Sequence, residues 1–429
     1  MADVYAQERR RLWLRQLSML QRLVRLLRQR NRFWSKRLEA AGVRSISSCE
    51  EFRRLPLLAK DELVRDQEQN PPYGTNLTYP LDRYVRLHQT SGTTGSVPLR
   101  WLDTAQSWAR FVDLWVEIYR SLGVSRGDRL LFPFSFGPFI GFWGAFEAAQ
   151  RLGLFCLSGG GMSSNARIRA LFEHRITVLP CTPTYALHLA EVAASEGVDL
   201  AGSQVRLLIV AGEPGGSVPG VRQRIAEAWG AEVRDHWGMT EVGALGVECP
   251  CVPCRLHLLE EACIAEVLDP ASGAEVEPGR EGELVITTLW RDASPVLRYR
   301  TGDMVRPAPA ERCRCGSYYI GFDGGILGRR DQMLFVRGNN VYPAALEDVV
   351  RAFAEVAEFE ITVDRSRPLT EVTITVEPVC PQRMPESELA ERVGRAIRDR
   401  FGFRVQVRVV PAGTLPRYEL KARRVRFLP

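Results

Sequence analysis

The chain has 429 residues, of which 45% are apolar and 25% charged, an ordinary composition for a globular protein of two or three domains. Its net charge of +6 is uneven: residues 1–40 hold eleven Lys or Arg and three Asp or Glu, so they carry +8 and the remainder −2. One basic segment without a recognition motif argues against nucleic-acid binding.

The hydropathy pattern argues against secretion and against a membrane span. The N-terminus is basic rather than apolar, which is not typical of a signal sequence. The longest uncharged run, residues 130–146, holds two prolines and three glycines and is better interpreted as a buried strand, a loop and a helix start. We therefore expect a cytoplasmic protein without a transmembrane segment.

Residues 8–38 are predicted to form one amphipathic helix. Apolar residues recur there at steps of four and three, with arginines between them: Trp13, Leu17, Leu20, Val24 and Leu27. The simplest interpretation is a helix laid on the main domain with a solvated basic face. Contact with a membrane surface or with a second copy of the chain, as a homodimer, is the alternative.

From Tyr84 onward, apolar strands alternate with helices, which predicts an α/β domain with parallel strands. The predicted strands are Arg129–Phe134, Ile176–Leu179, Val205–Ala211 and Glu232–Asp235. The predicted helices are 104–122, 140–152, 164–174, 183–196 and 219–229.

The last part of the chain changes character twice. Short β-like runs such as residues 283–290, separated by turn residues, predict a β-rich subdomain over 255–330. Helices at 343–354 and 386–401 and strands at 371–377 and 403–410 then predict an α+β domain over 332–429. We therefore expect an N-terminal domain over 1–331, beginning with the basic helix of residues 1–40.

The loop TSGTTG at 90–95 is rich in glycine and hydroxyl groups, which is typical of an anion-binding loop. It is not the Walker A pattern of phosphate-binding loops, because it has no G-x-x-x-x-G-K-[ST]. We expect the backbone N–H groups and hydroxyls of this loop to bind the phosphates of ATP.

Six motifs follow one another in a set order: TSGTTG (90–95), AGEPGG (211–216), HWGMTE (236–241), YRTGD (299–303), GRRDQM (328–333) and LPRYELKARRV (415–425). This order resembles the adenylate-forming superfamily, and within it the phenylacetate–CoA ligase-like branch, from about residue 30 to the end. The resemblance implies an α/β fold: a large N-terminal domain of parallel-sheet layers with a β-rich subdomain, and a small mobile α+β C-terminal domain.

The resemblance also implies which residues bind the nucleotide. Trp237 and Gly238 would form the floor of the adenine site, and Asp303 would accept hydrogen bonds from both ribose hydroxyls. Arg329 would approach the ribose or phosphates from the other side. The full set is Thr90, Ser91, Gly92, Thr93, Thr94, Gly95, Gly212, Glu213, Pro214, Asp235, His236, Trp237, Gly238, Met239, Asp303 and Arg329.

Three residues are implied as catalytic. Thr240 would offer its hydroxyl to the α-phosphate, and Glu241 would hold Mg²⁺, a cation that prefers oxygen ligands. Lys421 would stabilise the charge that develops as the carboxylate attacks. Asp331 matches the hinge position of the family.

The chain departs from the family pattern at two places. Gln332 stands where a second acidic residue is usual, beside the hinge. Leu420 stands where a glycine usually precedes the lysine, which changes the local backbone freedom.

Five of the ten cysteines cluster in GVECPCVPCRLH (246–257) and ERCRCG (311–316). Clustered cysteines in a cytosolic chain favour a metal site over disulfides. The resemblance implies one structural zinc, with three thiolates and one imidazole: Cys249, His257, Cys313 and Cys315. Cys251 and Cys254 are alternatives to Cys249 as ligand, and free buried thiols or a redox pair are the other interpretations.

The family builds its acyl pocket in a region that is aromatic in this chain. Residues 132–146 hold seven aromatic residues, at least half of which we expect in the core. Aromatic walls suit an aryl or otherwise apolar acid. The predicted pocket residues are Phe134, Phe136, Phe139 and Gly159.

The resemblance implies two half-reactions: an acid attacks the α-phosphate of Mg·ATP to give an acyl-adenylate, and coenzyme A then takes the acyl group. The C-terminal domain would swing about Asp331 between them. One alternative is adenylation with transfer to the pantetheine arm of a carrier protein or to an amine. Another, from a different class, is a zinc-stabilised nucleotide-binding protein without catalysis, in which these motifs would be damaged.

Overall fold

The computed structural model describes residues 2–90, 98–336, 339–364, 371–380, 384–418, 422 and 424–428. The chain forms two compact units. The first combines Met1–Gly161 with His236–Gly325, and the second combines Met162–Asp235 with Ile326–Pro429. The domain boundary expected between residues 331 and 332 stays a prediction.

The helices of the described residues are, in chain order, α1 (Ala2–Arg30), α2 (Arg32–Ala40), α3 (Cys49–Arg53), α4 (Lys60–Gln69), α5 (Ala105–Ser121), α6 (Trp143–Arg151), α7 (Ser164–Glu173), α8 (Pro183–Ser195), α9 (Pro219–Trp229), α10 (Pro343–Arg351) and α11 (Glu386–Phe401). Short 3₁₀ turns lie at Leu81–Arg83, Leu200–Gly202 and Arg330–Gln332. The predicted helices from 104 onward are confirmed to within three residues at each end.

The strands are β1 (Tyr84–Gln89), β2 (Arg100–Thr104), β3 (Arg129–Phe132), β4 (Phe155–Ser158), β5 (Val178–Cys181), β6 (Leu207–Val210), β7 (Glu232–Met239), β8 (Gly243–Glu248), β9 (Arg255–Leu258), β10 (Cys263–Leu268), β11 (Gly282–Thr288), β12 (Tyr299–Val305), β13 (Gly321–Asp323), β14 (Gly328–Arg329), β15 (Leu334–Val336), β16 (Asn339–Val341), β17 (Val356–Asp364), β18 (Glu371–Pro378), β19 (Gln406–Val409) and β20 (Val425–Leu428). The strands that were not predicted from the sequence include β1, β2 and β4, and also β17 and β20 near the end of the chain.

The N-terminal segment corrects one prediction, because it forms two helices instead of one. Asn31 separates α1 from α2 and is extended, and its side chain accepts the N–H of Trp34 as an N-cap. The same buried side chain donates to Asn76 and Thr78 at 3.0 and 3.1 Å. These tertiary hydrogen bonds offset the cost of breaking the helix.

The first unit holds a parallel strand pair, the antiparallel hairpin of β1 and β2, and two larger antiparallel arrays. Strands β3 and β4 pair in parallel, as the α/β pattern predicted. The C-terminal half of β7 continues into the antiparallel series β7–β8–β9–β13. Strands β10, β11 and β12 form the antiparallel β-rich region expected between 255 and 330.

The second unit holds a parallel array and a separate mixed sheet. Strands β5, β6 and the first half of β7 pair in parallel. Strands β19, β18, β17 and β20 form a sheet whose central pair is antiparallel and whose edge pairs are parallel. Its inner face packs with helices α10 and α11 around buried residues such as Phe359, Ile374 and Leu389.

Among the described residues, the helices are all too short or too polar to cross a bilayer.

Candidate active site

Thr90, the first residue of the TSGTTG loop, is held by two hydrogen bonds to Leu99. Strands β1 and β2 form an antiparallel hairpin in which Gln89 pairs with Arg100. Beyond that pair, the Thr90 N–H donates to the Leu99 carbonyl, and the Leu99 N–H donates to the Thr90 hydroxyl, both at 3.0 Å. The other predicted residues of the loop lie outside the described part of the chain: Ser91, Gly92, Thr93, Thr94 and Gly95.

Trp237 and Asp303, predicted for adenine and ribose, are direct neighbours in the first unit. The indole N–H of Trp237 donates to Asp303 Oδ2 at 2.9 Å, and both residues are buried. Next to this indole, a Cβ on Gly238 would lie 2.7 Å from the Gly243 carbonyl oxygen, so no side chain fits there. The contact fixes the orientation of the carboxylate.

Glu241 is a buried carboxylate with two partners that the sequence analysis missed. Its side chain is only 2% exposed, and its Oε1 accepts the Tyr299 hydroxyl at 3.1 Å. The Lys60 ammonium lies 3.3 Å from the same oxygen. A buried carboxylate with neutralising partners is a chemically suitable oxygen donor for a hard cation.

A fully buried ion pair holds the backbone of the Thr240–Glu241 turn. Arg291 donates through Nε to Asp103 Oδ1 at 2.8 Å, and neither side chain has exposed surface. The Nη1 of Arg291 donates to the carbonyls of Thr240, at 2.6 Å, and Glu241, at 3.3 Å. Arg291 Nη2 also donates to Asp103 Oδ2, and the Ser107 hydroxyl adds a third hydrogen bond, to Asp103 Oδ1, at 2.9 Å. This pair therefore holds the backbone of the turn in place.

His236 is a buried, neutral histidine. Its Nδ1 lies 2.6 Å from the Gly246 carbonyl oxygen, so Nδ1 carries the proton and donates it. The ring packs 4.3 Å from the Trp115 ring, centroid to centroid. Burial lowers the pKa of His236 to about 4, so the imidazole is uncharged at neutral pH.

The predicted acyl-pocket residues differ in environment. Phe134 and Phe136 lie in an aromatic cluster, with ring centroids 5.2 Å apart and contacts to Phe142 and Trp143 at 5.1 and 4.6 Å. Phe139 is 53% exposed.

Gly159 follows strand β4 and is buried. Its N–H donates to the Phe132 carbonyl at 2.9 Å, and a Cβ there would come within 3.1 Å of that oxygen. Because Gly159 has no side chain, its backbone can lie close to Phe132, and a larger residue would push the two segments apart.

The four predicted zinc ligands lie together in the first unit: the ligand atoms of Cys249, His257, Cys313 and Cys315 are all within 4.8 Å of one another. The sulfurs of Cys249 and Cys313 are 3.6 Å apart, and the sulfur of Cys315 is 3.5 Å from His257 Nε2. A tetrahedral zinc site has edges of about 3.8 Å between sulfurs and about 3.6 Å between sulfur and nitrogen. The donor set therefore fits a closed zinc centre.

The surroundings of this cluster orient its donors. His257 Nδ1 lies 3.4 Å from the Ile320 carbonyl oxygen, which leaves Nε2 to face the sulfurs, and burial lowers the pKa of the imidazole. The N–H of Cys251 donates to the Cys249 sulfur at 3.4 Å. Cys251 is exposed, and neither it nor Cys254 belongs to the cluster. Of the three alternatives, Cys249 is the one with its sulfur among the other donors.

In the second unit, both carboxylate oxygens of Glu213 accept backbone N–H groups. The N–H of Thr184 donates to Oε1 and that of Ala422 to Oε2, each at 2.8 Å. Asp235 accepts the Ser217 hydroxyl at 2.6 Å. The Glu213 carboxylate thus acts as a bridge within the unit, a contact that its motif did not predict.

Arg329 and Asp331 interact with each other, through Arg329 Nε and Asp331 Oδ1 at 3.3 Å on the surface of the second unit. The motif resemblance implies separate roles for them, at the ribose and at the hinge. Lys421 lies outside the described residues, although Ala422, which follows it, is described.

Several residues that support the motif residues were not predicted from the sequence. Lys60, Tyr299 and Arg291 contact Glu241 or its turn, and Thr184 contacts Glu213. Tyr299 stood inside the YRTGD motif and could have been suspected. The others belong to no motif and are brought to the site by tertiary folding alone.

The chain matches known families over most of its length. The model of the AMP-binding enzyme family matches residues 29–290, and that of the AMP-binding enzyme C-terminal domain matches residues 338–426. The phenylacetate-coenzyme A ligase of Thermus thermophilus is 32% identical over 93% of this chain and 92% of that protein. The ligase of the same name from Escherichia coli is 29% identical, over 91% and 89%.

Solved structures of a related ligase have the same fold. The 2-hydroxyisobutyryl-CoA ligase in its postadenylation state, in complex with 2-HIB-AMP, superposes with a TM-score of 0.90 at 28% identity, covering 96% of this chain and 88% of that one. The same ligase in its thioesterification state, with 2-HIB-AMP and CoA, gives 0.71 at the same identity and coverage. The predicted fold class is confirmed. The chain belongs to the AMP-binding enzyme family, in its phenylacetate-coenzyme A ligase-like branch.

Proposed function

We propose that this protein is an AMP-forming acid–coenzyme A ligase. In the first half-reaction the acid carboxylate attacks the α-phosphate of ATP, forming the acyl–phosphate bond and releasing pyrophosphate. In the second, the coenzyme A thiol attacks the acyl carbon, forming the thioester and releasing AMP and a proton. The likeness to phenylacetate-coenzyme A ligases over nine tenths of the chain carries this proposal.

The nucleotide-binding roles are part of the proposal. We assign the ribose to Asp303, whose orientation the Trp237 indole fixes, and the adenine to the Trp237 region. Thr240 and Lys421 would stabilise charge at the α-phosphate. The remaining assignments rest on the motif resemblance. They are the loop 90–95, Gly212, Glu213, Pro214, Asp235, His236, Met239, Arg329 and the hinge at Asp331.

Two metals belong to the proposal. Glu241 would hold Mg²⁺, which would neutralise phosphate charge. Cys249, His257, Cys313 and Cys315 would hold one structural zinc, supported by the tetrahedral spacing of their donors.

For the substrate, we propose an aryl or other apolar acid, with Phe134, Phe136, Phe139 and Gly159 lining its site. The packed rings of Phe134 and Phe136 support an apolar wall. We also propose a cytoplasmic location, because the grouping of Cys249, Cys313 and Cys315 with His257 favours a metal site over disulfides, as is usual in reducing compartments. A homodimer formed through the basic N-terminal segment stays the alternative to a helix laid on the main domain.

A substrate panel tests the function. Purified protein is offered Mg·ATP with aryl, alkyl and amino acids, and pyrophosphate release is measured with and without coenzyme A. We expect release with at least one apolar acid and a coenzyme A thioester as product. Free acyl-adenylate as the sole product would favour a carrier protein or an amine as acceptor. No release with any acid would contradict the proposal.

Lys421→Ala tests the catalytic cation. We expect adenylation to fall by at least about 100-fold, the loss typical of one electrostatic catalytic group, with nearly unchanged affinity for ATP. Arg426→Ala is the matched control, since this tail arginine is 63% exposed. Unchanged turnover in Lys421→Ala would remove the lysine from the mechanism.

A further inference from the structure

Ile320, the residue before strand β13, lies between the proposed zinc centre and a buried carboxylate. Its carbonyl oxygen lies 3.4 Å from His257 Nδ1 and accepts the Leu258 N–H at 3.3 Å. Its N–H donates to Glu260 Oε2 at 2.5 Å. The backbone of Ile320 is therefore held on one side by a predicted zinc ligand and on the other side by Glu260.

Glu260 is in turn held by helix α1. Its side chain is 3% exposed and pairs with the guanidinium of Arg9, a residue of that helix. Gln16, two turns further along the helix, donates to the backbone carbonyls of Glu260 and Cys263 at 2.9 and 2.8 Å. A buried carboxylate is costly without a partner, so the cation from helix α1 offsets the cost of burying Glu260.

A second link connects helix α1 to the Cys-x-Cys turn. Arg312 directly precedes Cys313, and its Nε donates to the Gly316 carbonyl at 2.8 Å. Within the turn, the Gly316 N–H donates to the Cys313 carbonyl at 2.8 Å. The Arg312 guanidinium also lies 3.4 Å from the carboxylate of Glu8, in helix α1. Neighbouring residues of the helix therefore contact the supports of two predicted zinc ligands.

These polar contacts all involve the first half of helix α1, whereas its second half is held by apolar packing. The buried side chains of the second half are Leu20, Leu23, Val24 and Leu27. Hydrogen bonds depend on the position of their partners, and apolar packing is non-directional. We therefore expect the two halves of the helix to respond differently to a change at the proposed zinc centre.

We infer that docking of helix residues 8–16 is coupled to zinc binding at the proposed centre, with Arg9 and Glu260 as positioning residues. This inference rests on the proposed zinc centre. Zinc bound there holds His257 and the Cys-x-Cys turn, and with them Ile320, in the place where Glu260 meets the helix. Because coupling between two binding events is reciprocal, the docked helix raises zinc affinity by the same factor by which zinc favours docking.

Zinc affinity tests one direction of the coupling. The double variant Arg9→Met, Glu260→Gln removes both charges together, so that neither is left buried without a partner. Residues behind a metal ligand typically change metal affinity by about 10- to 100-fold. Glu260 acts one step further out, through the backbone of Ile320, so we expect zinc to bind about 10-fold more weakly. Competition with a chromophoric chelator of known zinc affinity measures this on the full chain.

The double variant Arg15→Met, Glu261→Gln is the matched control. It removes another ion pair of helix α1, at 2.6 Å, but the two side chains are 56% and 42% exposed. An exposed ion pair contributes little, so the zinc affinity of the control should change by less than about 2-fold. Wild-type zinc affinity in the Arg9–Glu260 variant would overturn the inference. Equal losses in both variants would also overturn it, since the effect would not be specific to Glu260.

Hydrogen exchange tests the reverse direction, with zinc as the only change. Zinc is removed from the full-length protein with a chelator and is then added back. Without zinc, the amides of residues 9–16 should exchange at least about 10-fold faster, while those of residues 20–27 and of helix α11 change little. Zinc added back should restore slow exchange. Equal exchange with and without zinc, or a uniform increase along both helices, would overturn the coupling.

Failure of the zinc proposal and failure of the coupling give different results. A wild-type protein that binds no zinc would contradict the proposed centre and remove the coupling with it. One zinc per chain, bound equally well by the wild type and the Arg9–Glu260 variant, would leave the centre intact and overturn the coupling alone. Neither measurement needs an acid substrate, so a loss of the proposed ligase activity would not affect either result.

Discussion

At the scale of single residues, burial decides the chemical state of His236. Burial lowers its pKa to about 4, below the value of about 6.5 in the unfolded chain. The folded form therefore stays neutral where the unfolded form takes up a proton. The part of the unfolding free energy that depends on His236 is fully present above about pH 6.5 and is lost as the pH falls toward 4.

His236→Asn tests this dependence, because asparagine keeps a donor for the Gly246 carbonyl but does not titrate. The wild type should lose up to about 3 kcal/mol of unfolding free energy from this residue between pH 7 and pH 4. Urea unfolding at several pH values should show that the unfolding free energy of the variant falls less steeply with decreasing pH than that of the wild type. His174→Asn is the control, since His174 is exposed. If the unfolding free energy changed with pH equally in His236→Asn and the wild type, the lowered pKa of His236 would be contradicted.

A second residue-scale feature is the pair of Asp103 and Arg291, which positions the Thr240–Glu241 turn. Both side chains are fully buried, so removing one partner leaves the other charge unpaired. We expect Arg291→Met or Asp103→Leu each to cost about 3–5 kcal/mol of unfolding free energy.

The double variant Arg291→Met, Asp103→Leu should recover part of that cost, because it buries no charge. Its adenylation rate should stay low, since the carbonyls of Thr240 and Glu241 would still lack the donor of Arg291. Chemical unfolding and pyrophosphate release measure the two effects. A double variant with both stability and activity restored would show that the turn does not need Arg291.

At the scale of elements, the cysteine cluster joins two distant segments. Strand β9 carries His257 and pairs with β13, and the loop of residues 311–316 precedes that strand. Such a crosslink would stabilise a region whose strands are short. A zinc ion at this site would therefore contribute folding free energy directly.

Cys313→Ser tests the metal centre, with Cys251→Ser as its matched control from outside the cluster. We expect about one zinc per chain in the wild type and in Cys251→Ser, by metal analysis of purified protein. Cys313→Ser should lose the zinc and melt at a lower temperature. Wild-type protein that is purified without zinc, together with a Cys313→Ser variant that melts at the same temperature, would favour free thiols instead.

At the scale of the whole molecule, the basic N-terminal helix packs on its own unit through its apolar face. Leu20, Val24 and Leu27 are buried, and Gln16 donates to the carbonyls of Glu260 and Cys263 at 2.9 and 2.8 Å. This supports the simplest interpretation of the segment, a helix laid on the domain.

Deleting residues 2–28 tests this packing. Each buried Leu or Val contributes about 1.5–3 kcal/mol, so the truncated protein should melt at a lower temperature and aggregate. Arg22→Ala, which changes an exposed cation of the same helix, should leave the melting temperature unchanged. A truncated protein as stable as the full chain would contradict the packing role.

The sequence by itself determined the family, the α/β class and most elements from 104 onward, because periodicity and motif order are local properties of the chain. Only the tertiary structure decided that Asn31 breaks the first helix, that Cys249 joins the cluster of cysteines and His257, and that Arg291 and Glu213 make hydrogen bonds to the motif segments or across them. Each of these depends on partners from 45 to more than 200 residues away, as in Asn31 with Asn76 and Glu213 with Ala422. No local pattern records such partners, since burial and distance exist only once the chain has folded.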